Sequence, residues 1–306
     1  MSDYRITYND TKLETPLVPV TLPSMKVTIP SEIASQTIRL VEEESFFDTV
    51  EGEGNLMGKR VRYMRVTGCT LSCAWENDDH SVSICDTPFS SHQCSSKIVT
   101  IQEAYDKLFD GDHKWVSISG GEVGLQPNVW KLVDLLEMSG KRVKLETNGT
   151  IFIRSKASMV CLSPKLASSS SGLKLLADPN FTQQDNNNFL KTTDFESRAA
   201  KYQKLLKIHE AKRYNPTALG QFIDHYGSDR YIFKFVIHDE SDLKEIQENY
   251  IKPLSIPNDN VYLMPQGLST EQLQERAQLV VRLCVENNYN YSDRLHVRIF
   301  GNKIGV

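Results

Sequence analysis

The strongest constraint on the fold is an alternation that begins at Arg60 and holds through most of the chain. Short β-forming runs trade places with amphipathic helical segments. RVRYMRV reads as a strand over 60–66, and a helix then opens at Thr100. Glu103 closes a capping box there, while Ile101, Ala104, Tyr105 and Leu108 share one apolar face. WVSI starts a strand at Trp115, a helix follows over 128–138, and strands are expected at 142–146 and 159–163. Beyond them the pattern predicts a strand at 232–237, a helix at 239–250, a strand at 261–264, a helix at 270–287 and a closing strand at 295–299. Such alternation means parallel strands with covering helices, an α/β fold. Two stretches stand outside it. Residues 1–36 mix polar residues, prolines and short apolar alternations and read as an accessory extension to a domain spanning 37–306. Residues 166–230 carry SSSSG, QQDNNN and one helical block around 195–210, and read as an inserted, mobile lid.

The residues that follow each β-run say where the chemistry lies. SGGEVGLQ follows WVSI, TNGT follows VKLE, SPK follows VCL and MPQG follows VYL. Parallel α/β folds collect their ligand-binding groups at the carboxyl ends of strands, so one rim should hold the site. Gly120 and Gly121 would let backbone approach a ligand closely, and Glu122 could accept hydrogen bonds from an ammonium group. A lone GG would read as a tight turn; successive polar strand ends argue for a site.

The chain holds 6 cysteines, and Cys69, Cys73, Cys85 and Cys94 crowd into one stretch. The N-terminus lacks the basic-then-apolar pattern of a secretory signal and no apolar run is long enough to span a bilayer, so the expected location is cytoplasmic. In a reducing compartment clustered thiols are metal ligands or redox groups rather than disulfides. Zinc would take a closed set of four, with Cys94, His80 or His92 completing it; an iron–sulfur cluster could be held by three cysteines. Spacing alone leaves both open. A net charge of -4 with no basic stripe argues against nucleic-acid binding.

The neighbours of these cysteines resemble the radical S-adenosylmethionine superfamily and, within it, the 7-carboxy-7-deazaguanine synthase (QueE) family. The resemblance runs from about Phe46 to Val306. It rests on VEGEGNLMGKR at Val50, YMRVTGCTLSC at Tyr63, CDT at Cys85, SGGE at Ser119, ETNGT at Glu146, SPK at Ser163, FKFVI at Phe233, YLMPQG at Tyr262 and the terminal LHVRIFGNKIGV. One departure is plain. The family pattern CxxxCxWCDT is interrupted here, where ENDDHSVSI separates Trp75 from Cys85. A longer loop need not move its anchors, since each doubling of loop length costs only about 0.6 kcal/mol. Cys94 falls outside the pattern and reads as a bystander able to replace a ligand.

What the resemblance implies is specific. The fold would be a partial, open parallel β/α barrel. The activity would be conversion of 6-carboxy-5,6,7,8-tetrahydropterin to 7-carboxy-7-deazaguanine with loss of ammonia. Cys69, Cys73 and Cys85 would hold a 4Fe-4S cluster whose unligated iron binds S-adenosylmethionine, and Thr87 would be a Mg2+ ligand. Gly120, Gly121 and Glu122 would hold the methionine end of the cofactor. Glu146, Asn148, Ser163 and Lys165, with Met264, Pro265, Gln266 and Gly267, would meet the rest. Val50, Glu51, Gly52, Arg65, Ser119, His296 and the terminal carboxylate of Val306 would face the pterin. Arg65 suits a carboxylate because its planar fork donates two parallel hydrogen bonds. A flavodoxin or ferredoxin reductant and a homodimer are also implied. For Asp86 the favoured role is a loop hydrogen bond to backbone amides; for Lys234 a buried ammonium needing a partner competes with a snorkelling surface lysine. Two other functions fit fewer of these motifs: a glycyl-radical-enzyme activase and a zinc-stabilised interaction protein.

Overall fold

A parallel strand covered by helices needs an apolar side chain at every second position, and the central runs of this chain supply them on one face. The computed structural model describes residues 24–77, 79–92, 95–181, 195–301, 303 and 305. The chain enters through α1 (Ser31–Ala34), β1 (Thr37–Val41), β2 (Phe46–Val50) and β3 (Arg60–Val66). A small hairpin of β4 (Ala74–Glu76) and β5 (Val82–Ile84) follows, then α2 (Pro88–Ser91) and β6 (Ser96–Thr100). Helices and strands then alternate as α3 (Ile101–Phe109), β7 (Trp115–Gly120), α4 (Val129–Met138), β8 (Arg142–Thr147) and β9 (Met159–Leu162). α5 (Ser171–Leu176), α6 (Phe195–Lys212) and α7 (Pro216–Tyr226) precede β10 (Tyr231–Ile237). α8 (Ser241–Glu245), α9 (Lys252–Leu254), β11 (Val261–Pro265), α10 (Thr270–Asn287), β12 (Asn290–Tyr291) and α11 (Leu295–Phe300) complete it.

One sheet dominates, in the order β12-β11-β10-β9-β8-β7-β3-β1-β6, with β2 paired to β3. From β3 to β12 every pairing is parallel, whereas β1, β2 and β6 join antiparallel. The sheet stays open: β12 pairs with β11 and the opposite edge is β6. Alternation across the pleat divides the side chains. On β8, Val143 and Leu145 join the main core beneath the helices while Lys144 and Glu146 point the other way; on β10, Phe233 and Phe235 join it while Lys234 does not. The capping box at α3 forms as expected, with Glu103 N donating to Thr100 Oγ1 at 3.1 Å and Thr100 N to Glu103 Oε2 at 2.7 Å. Residues 24–30 run over α3 and α4, where Val27 N donates to Tyr105 Oη at 3.0 Å. No helix among the described residues is long and apolar enough to cross a membrane.

The structure differs from the sequence reading at three places. Residues 295–299 form helix α11, not a closing strand. The alternation L-H-V-R-I is too short to separate the two periods, and the last parallel strand is instead the two-residue β12. After it, Leu295 N donates to Gly52 O at 2.9 Å, which draws the chain under the EGEG segment and away from the sheet edge. The expected helix at 239–250 is broken into α8, a π turn over Ile246–Ile251, and α9. Pro253 has no N–H for the Asn249 carbonyl, and the Tyr214 hydroxyl takes that carbonyl at 2.8 Å. Residues 166–230 hold α5, α6 and α7 where one helical block was expected. α7 buries Leu219 and Phe222 in the main core, and Tyr202 of α6 packs with α5 and the β4–β5 hairpin. QQDNNN and most of the extension at 1–36 lie outside the described residues, as does Cys94.

Candidate active site

The carboxyl ends of the parallel strands surround one cavity of about 230 Å³. β3 contributes Arg65 and leads to Cys69 and Cys73; β7 contributes Ser119 and Gly120 and leads to Gly121; β8 contributes Glu146 and leads to Asn148. Ser163 and Lys165 follow β9, and Met264, Gln266 and Gly267 close β11. Val50, Glu51 and Gly52 enter from β2, Cys85 and Thr87 from the hairpin, and His296 from α11. Of the residues expected here, Glu122 and Pro265 do not line the cavity, and Val306 lies outside the described residues.

Glu122 is fully buried and its carboxylate is satisfied from within. Oε1 accepts from Thr147 Oγ1 at 2.6 Å and Gly124 N at 2.8 Å, and Oε2 from Asn148 N at 2.8 Å. Burial pushes its pKa up against those donors. It braces the β7 end against the β8 end, which holds Asn148 at the cavity. The glycines before it answer to close backbone approach. A Cβ at Gly120 would meet Val66 O at 2.0 Å, and one at Gly121 would meet Gly68 O at 2.0 Å. Only glycine lets this turn lie against the start of the cysteine loop.

Cys69, Cys73 and Cys85 gather with Leu71 and Trp75 in one small apolar cluster. Burial pushes the Cys69 thiol up to about 11, and Cys73 and Cys85 are raised for the same reason. Thiols so desolvated become thiolates only against a strong positive charge, which a bound metal centre supplies. Among the described residues no three His, Cys, Asp or Glu side chains converge to hold a single metal ion. As a donor set, three thiols lining one cavity are the chemistry that an iron–sulfur cluster would take. The loop bearing Cys69 and Cys73 is pinned on several sides. His209 of α6 accepts from Ser72 N at 3.2 Å, His92 bonds Leu71 O at 2.8 Å, and Thr70 meets Asn148 Nδ2 at 3.0 Å. His209 is fully buried, and burial lowers its pKa to about 4, so the ring is neutral and free to accept.

A buried ladder of charge adjoins the same cavity. Lys144 Nζ sits 3.3 Å from Glu51 Oε2 and 2.5 Å from Glu146 Oε1; Lys234 Nζ sits 3.1 Å from Glu146 Oε2 and 2.5 Å from Glu53 Oε2. Arg294 closes it, with Nε 3.0 Å from Glu53 Oε1 and a further ion pair to Asp86. Burial works against the charges on Glu53, Asp86, Lys144, Glu146, Lys234 and Arg294, yet the opposed neighbours win. Glu53 is held well below the usual carboxylate range and Lys234 well above the usual lysine range. His296 stands 3.8 Å from Glu53, and its ring lies so close to Gly52 that a Cβ there would fall 2.2 Å from Nδ1. Arg65 differs from these cations. Its guanidinium stacks between Phe47, Tyr63 and Phe89 at 5.2, 5.5 and 5.3 Å, and its buried Nε has no hydrogen-bond partner among the described residues.

A protein named 7-carboxy-7-deazaguanine synthase from Rhodopirellula baltica is 30% identical over 273 residues, covering 89% of this chain and 91% of the relative. The chain belongs to the 7-carboxy-7-deazaguanine synthase family. A second relative of that name, from Halobacterium salinarum, is 30% identical over 259 residues, covering 83% of this chain and 88% of its own. The crystal structure of QueE from Escherichia coli superposes with a TM-score of 0.53 at 17% identity, over 87% of this chain and 97% of that one, and establishes the shared open-sheet fold. No protein-family model matches the chain.

One residue of this family member is placed differently from the sequence reading, and for another the structure decides between two readings. Asp86 does not cap backbone amides; its carboxylate pairs with Arg294. Lys234 is a buried ion-pair partner, 4% exposed, and does not snorkel. Glu53, Lys144 and Arg294 were not singled out at all. For Lys144 a signal existed: VKLE places Lys144 and Glu146 on one face of a strand whose other face is apolar. For Arg294 none did, because its partners at 53, 86 and 267 meet only in three dimensions.

Proposed function

We infer that this chain makes 7-carboxy-7-deazaguanine from 6-carboxy-5,6,7,8-tetrahydropterin, as a radical S-adenosylmethionine lyase that releases ammonia. The observation that carries the reading is the shared cavity, at which three desolvated thiols, a buried charge ladder and a stacked guanidinium meet. A 4Fe-4S cluster and S-adenosylmethionine, when bound, supply the 5′-deoxyadenosyl radical that takes hydrogen from the pterin. The chain's own residues hold, orient and insulate. Cys69, Cys73 and Cys85 each hold an iron. The backbone of Gly120 and Gly121, braced by Glu122, receives the methionine end, and Asn148, Ser163, Lys165, Met264, Gln266 and Gly267 receive the remainder. Arg65, already immobilised between rings, donates its unpaired N–H groups to the substrate carboxylate at little further entropic cost. Glu51, Glu53 and Glu146, held in place by Lys144 and Lys234, offer acceptors to the pterin N–H groups, as does His296.

Three finer assignments belong to the same reading. The Thr87 hydroxyl is a hard oxygen donor on the cavity wall and suits Mg2+, which keeps its remaining positions for water and substrate carboxylate. A flavodoxin or ferredoxin supplies the electron in a reducing, cytoplasmic setting, and the working form is a homodimer. The test is anaerobic turnover of the carboxytetrahydropterin followed by mass spectrometry. Wild type and Cys94→Ala should release product one mass of ammonia lighter than the substrate, while Cys85→Ala should bind less iron and make none. A Cys85→Ala variant with wild-type turnover would refute the reading.

A further inference from the structure

Arg294 occupies an unusual position: it is 6% exposed, and each of its guanidinium nitrogens serves a different motif. Nε donates to Glu53 Oε1 at 3.0 Å in the EGEG segment, Nη1 to Gly267 O at 2.7 Å in the MPQG turn, and Nη2 to Asp86 Oδ2 between Cys85 and Thr87. Its own backbone is held as well, since Arg294 N donates to Asp293 Oδ1 at 2.8 Å and Arg298 Nε to Asp293 Oδ2 at 2.5 Å. With every nitrogen engaged, the fork holds protein to protein.

We propose that Arg294 is a positioning residue that locks the loop of the third cysteine to the floor of the substrate cavity. The proposal rests on the reading above, in which Cys85 holds an iron. Cys85 follows the insertion, and it is held on both sides. The upstream side of Cys85 is fixed, because Cys85 N donates to Cys73 O at 3.0 Å across the base of the β4–β5 hairpin. Downstream, Asp86 is the link. Its Oδ2 takes the Arg294 fork, while its Oδ1 lies 3.4 Å from Thr87 Oγ1 and 3.8 Å from Cys85 Sγ. Among the described residues Asp86 has no other ion pair, whereas Glu53 keeps Lys234 at 2.5 Å. Loss of Arg294 would therefore strip Asp86 of its anchor and leave two carboxylates sharing a buried space without their common cation. A lysine cannot substitute, because one ammonium cannot reach three acceptors held in a plane.

The test uses full-length protein with its cluster reconstituted anaerobically. The rate of iron loss to a ferrous chelator is followed for wild type, Arg294→Lys, Arg294→Gln, Asp86→Asn, the Arg294→Gln/Asp86→Asn double variant and Cys85→Ala, with circular dichroism reporting the fold. Groups that orient metal ligands typically matter 10–100-fold, so Arg294→Gln and Asp86→Asn should each release iron at least about tenfold faster. Arg294→Lys should not rescue, and the double variant should be no faster than the worse single, because both remove one tie. Wild-type iron loss in Arg294→Gln and Asp86→Asn, or additive effects in the double variant, would overturn the proposal. If Arg294→Gln cannot be purified folded, Asp86→Asn alone decides it by the same rate. Cys85→Ala separates the two levels: iron lost there but retained in the other variants sinks only the tie, while wild-type iron retention in Cys85→Ala sinks the cluster reading beneath it.

Discussion

His209 couples the stability of this protein to pH, because a fully buried imidazole must stay neutral to accept the Ser72 N–H at 3.2 Å. Burial lowers its pKa from 6.5 to about 4. As pH falls below 6.5 the unfolded chain takes up the proton first, so stability is lost progressively until the folded pKa is reached, and is fully present above 6.5. Working the linkage from those two values gives a loss of about 2 kcal/mol between pH 7 and pH 5, rising to about 3 kcal/mol at pH 4. Other groups titrate over this range, so the informative quantity is a difference. His209→Asn keeps an acceptor for Ser72 but does not titrate. Urea unfolding of cluster-free protein, followed by circular dichroism under reducing conditions at pH 7, 6, 5 and 4, should show wild type losing about 2 kcal/mol more than the variant between pH 7 and 5. A difference between the two proteins that stays flat with pH would refute the reasoning, and would mean that the ring is accommodated charged.

Three further outcomes follow from the site. Lys144→Met should destabilise by about 3–5 kcal/mol in thermal or urea unfolding, since it leaves Glu51 and Glu146 buried without their shared cation; a loss under about 1 kcal/mol would show that the carboxylates take up protons cheaply. Gly52→Ala should weaken pterin binding about tenfold with iron content unchanged, because overpacking at that level moves the His296 ring; calorimetric titration of the reconstituted protein would show it. Arg65→Lys should keep S-adenosylmethionine binding and raise the pterin dissociation constant about tenfold, since an ammonium cannot make the paired hydrogen bonds of the fork; equal affinities would place the substrate carboxylate elsewhere.

Much of this site is legible in the linear chain because a parallel strand delivers its last residues to one rim. Once VKLE, VCL and VYL are read as strands, TNGT, SPK and MPQG must follow at the same edge, and they do. Local chemistry also reads well: Thr100 and Glu103 cap their helix through contacts three residues apart. The reading loses force where a choice depends on distant partners. LHVRIF carries a period too short to decide between helix and strand, and the Gly52 carbonyl bonded to Leu295 N draws it beneath the EGEG segment. Glu122 looks in sequence like a ligand-facing acid; its three donors, on Gly124, Thr147 and Asn148, turn it inward as a brace.

The α/β alternation, the rim on which chemistry collects, and the cysteines and glycines available there can be read along the chain, because they depend on period, chirality and residue type. Which charges face one another is settled in three dimensions. The ladder from Glu51 through Lys144, Glu146, Lys234 and Glu53 to Arg294 joins residues far apart along the chain. A buried ion is tolerated only where packing brings its counter-ion within a few ångströms, and that proximity is a property of the fold.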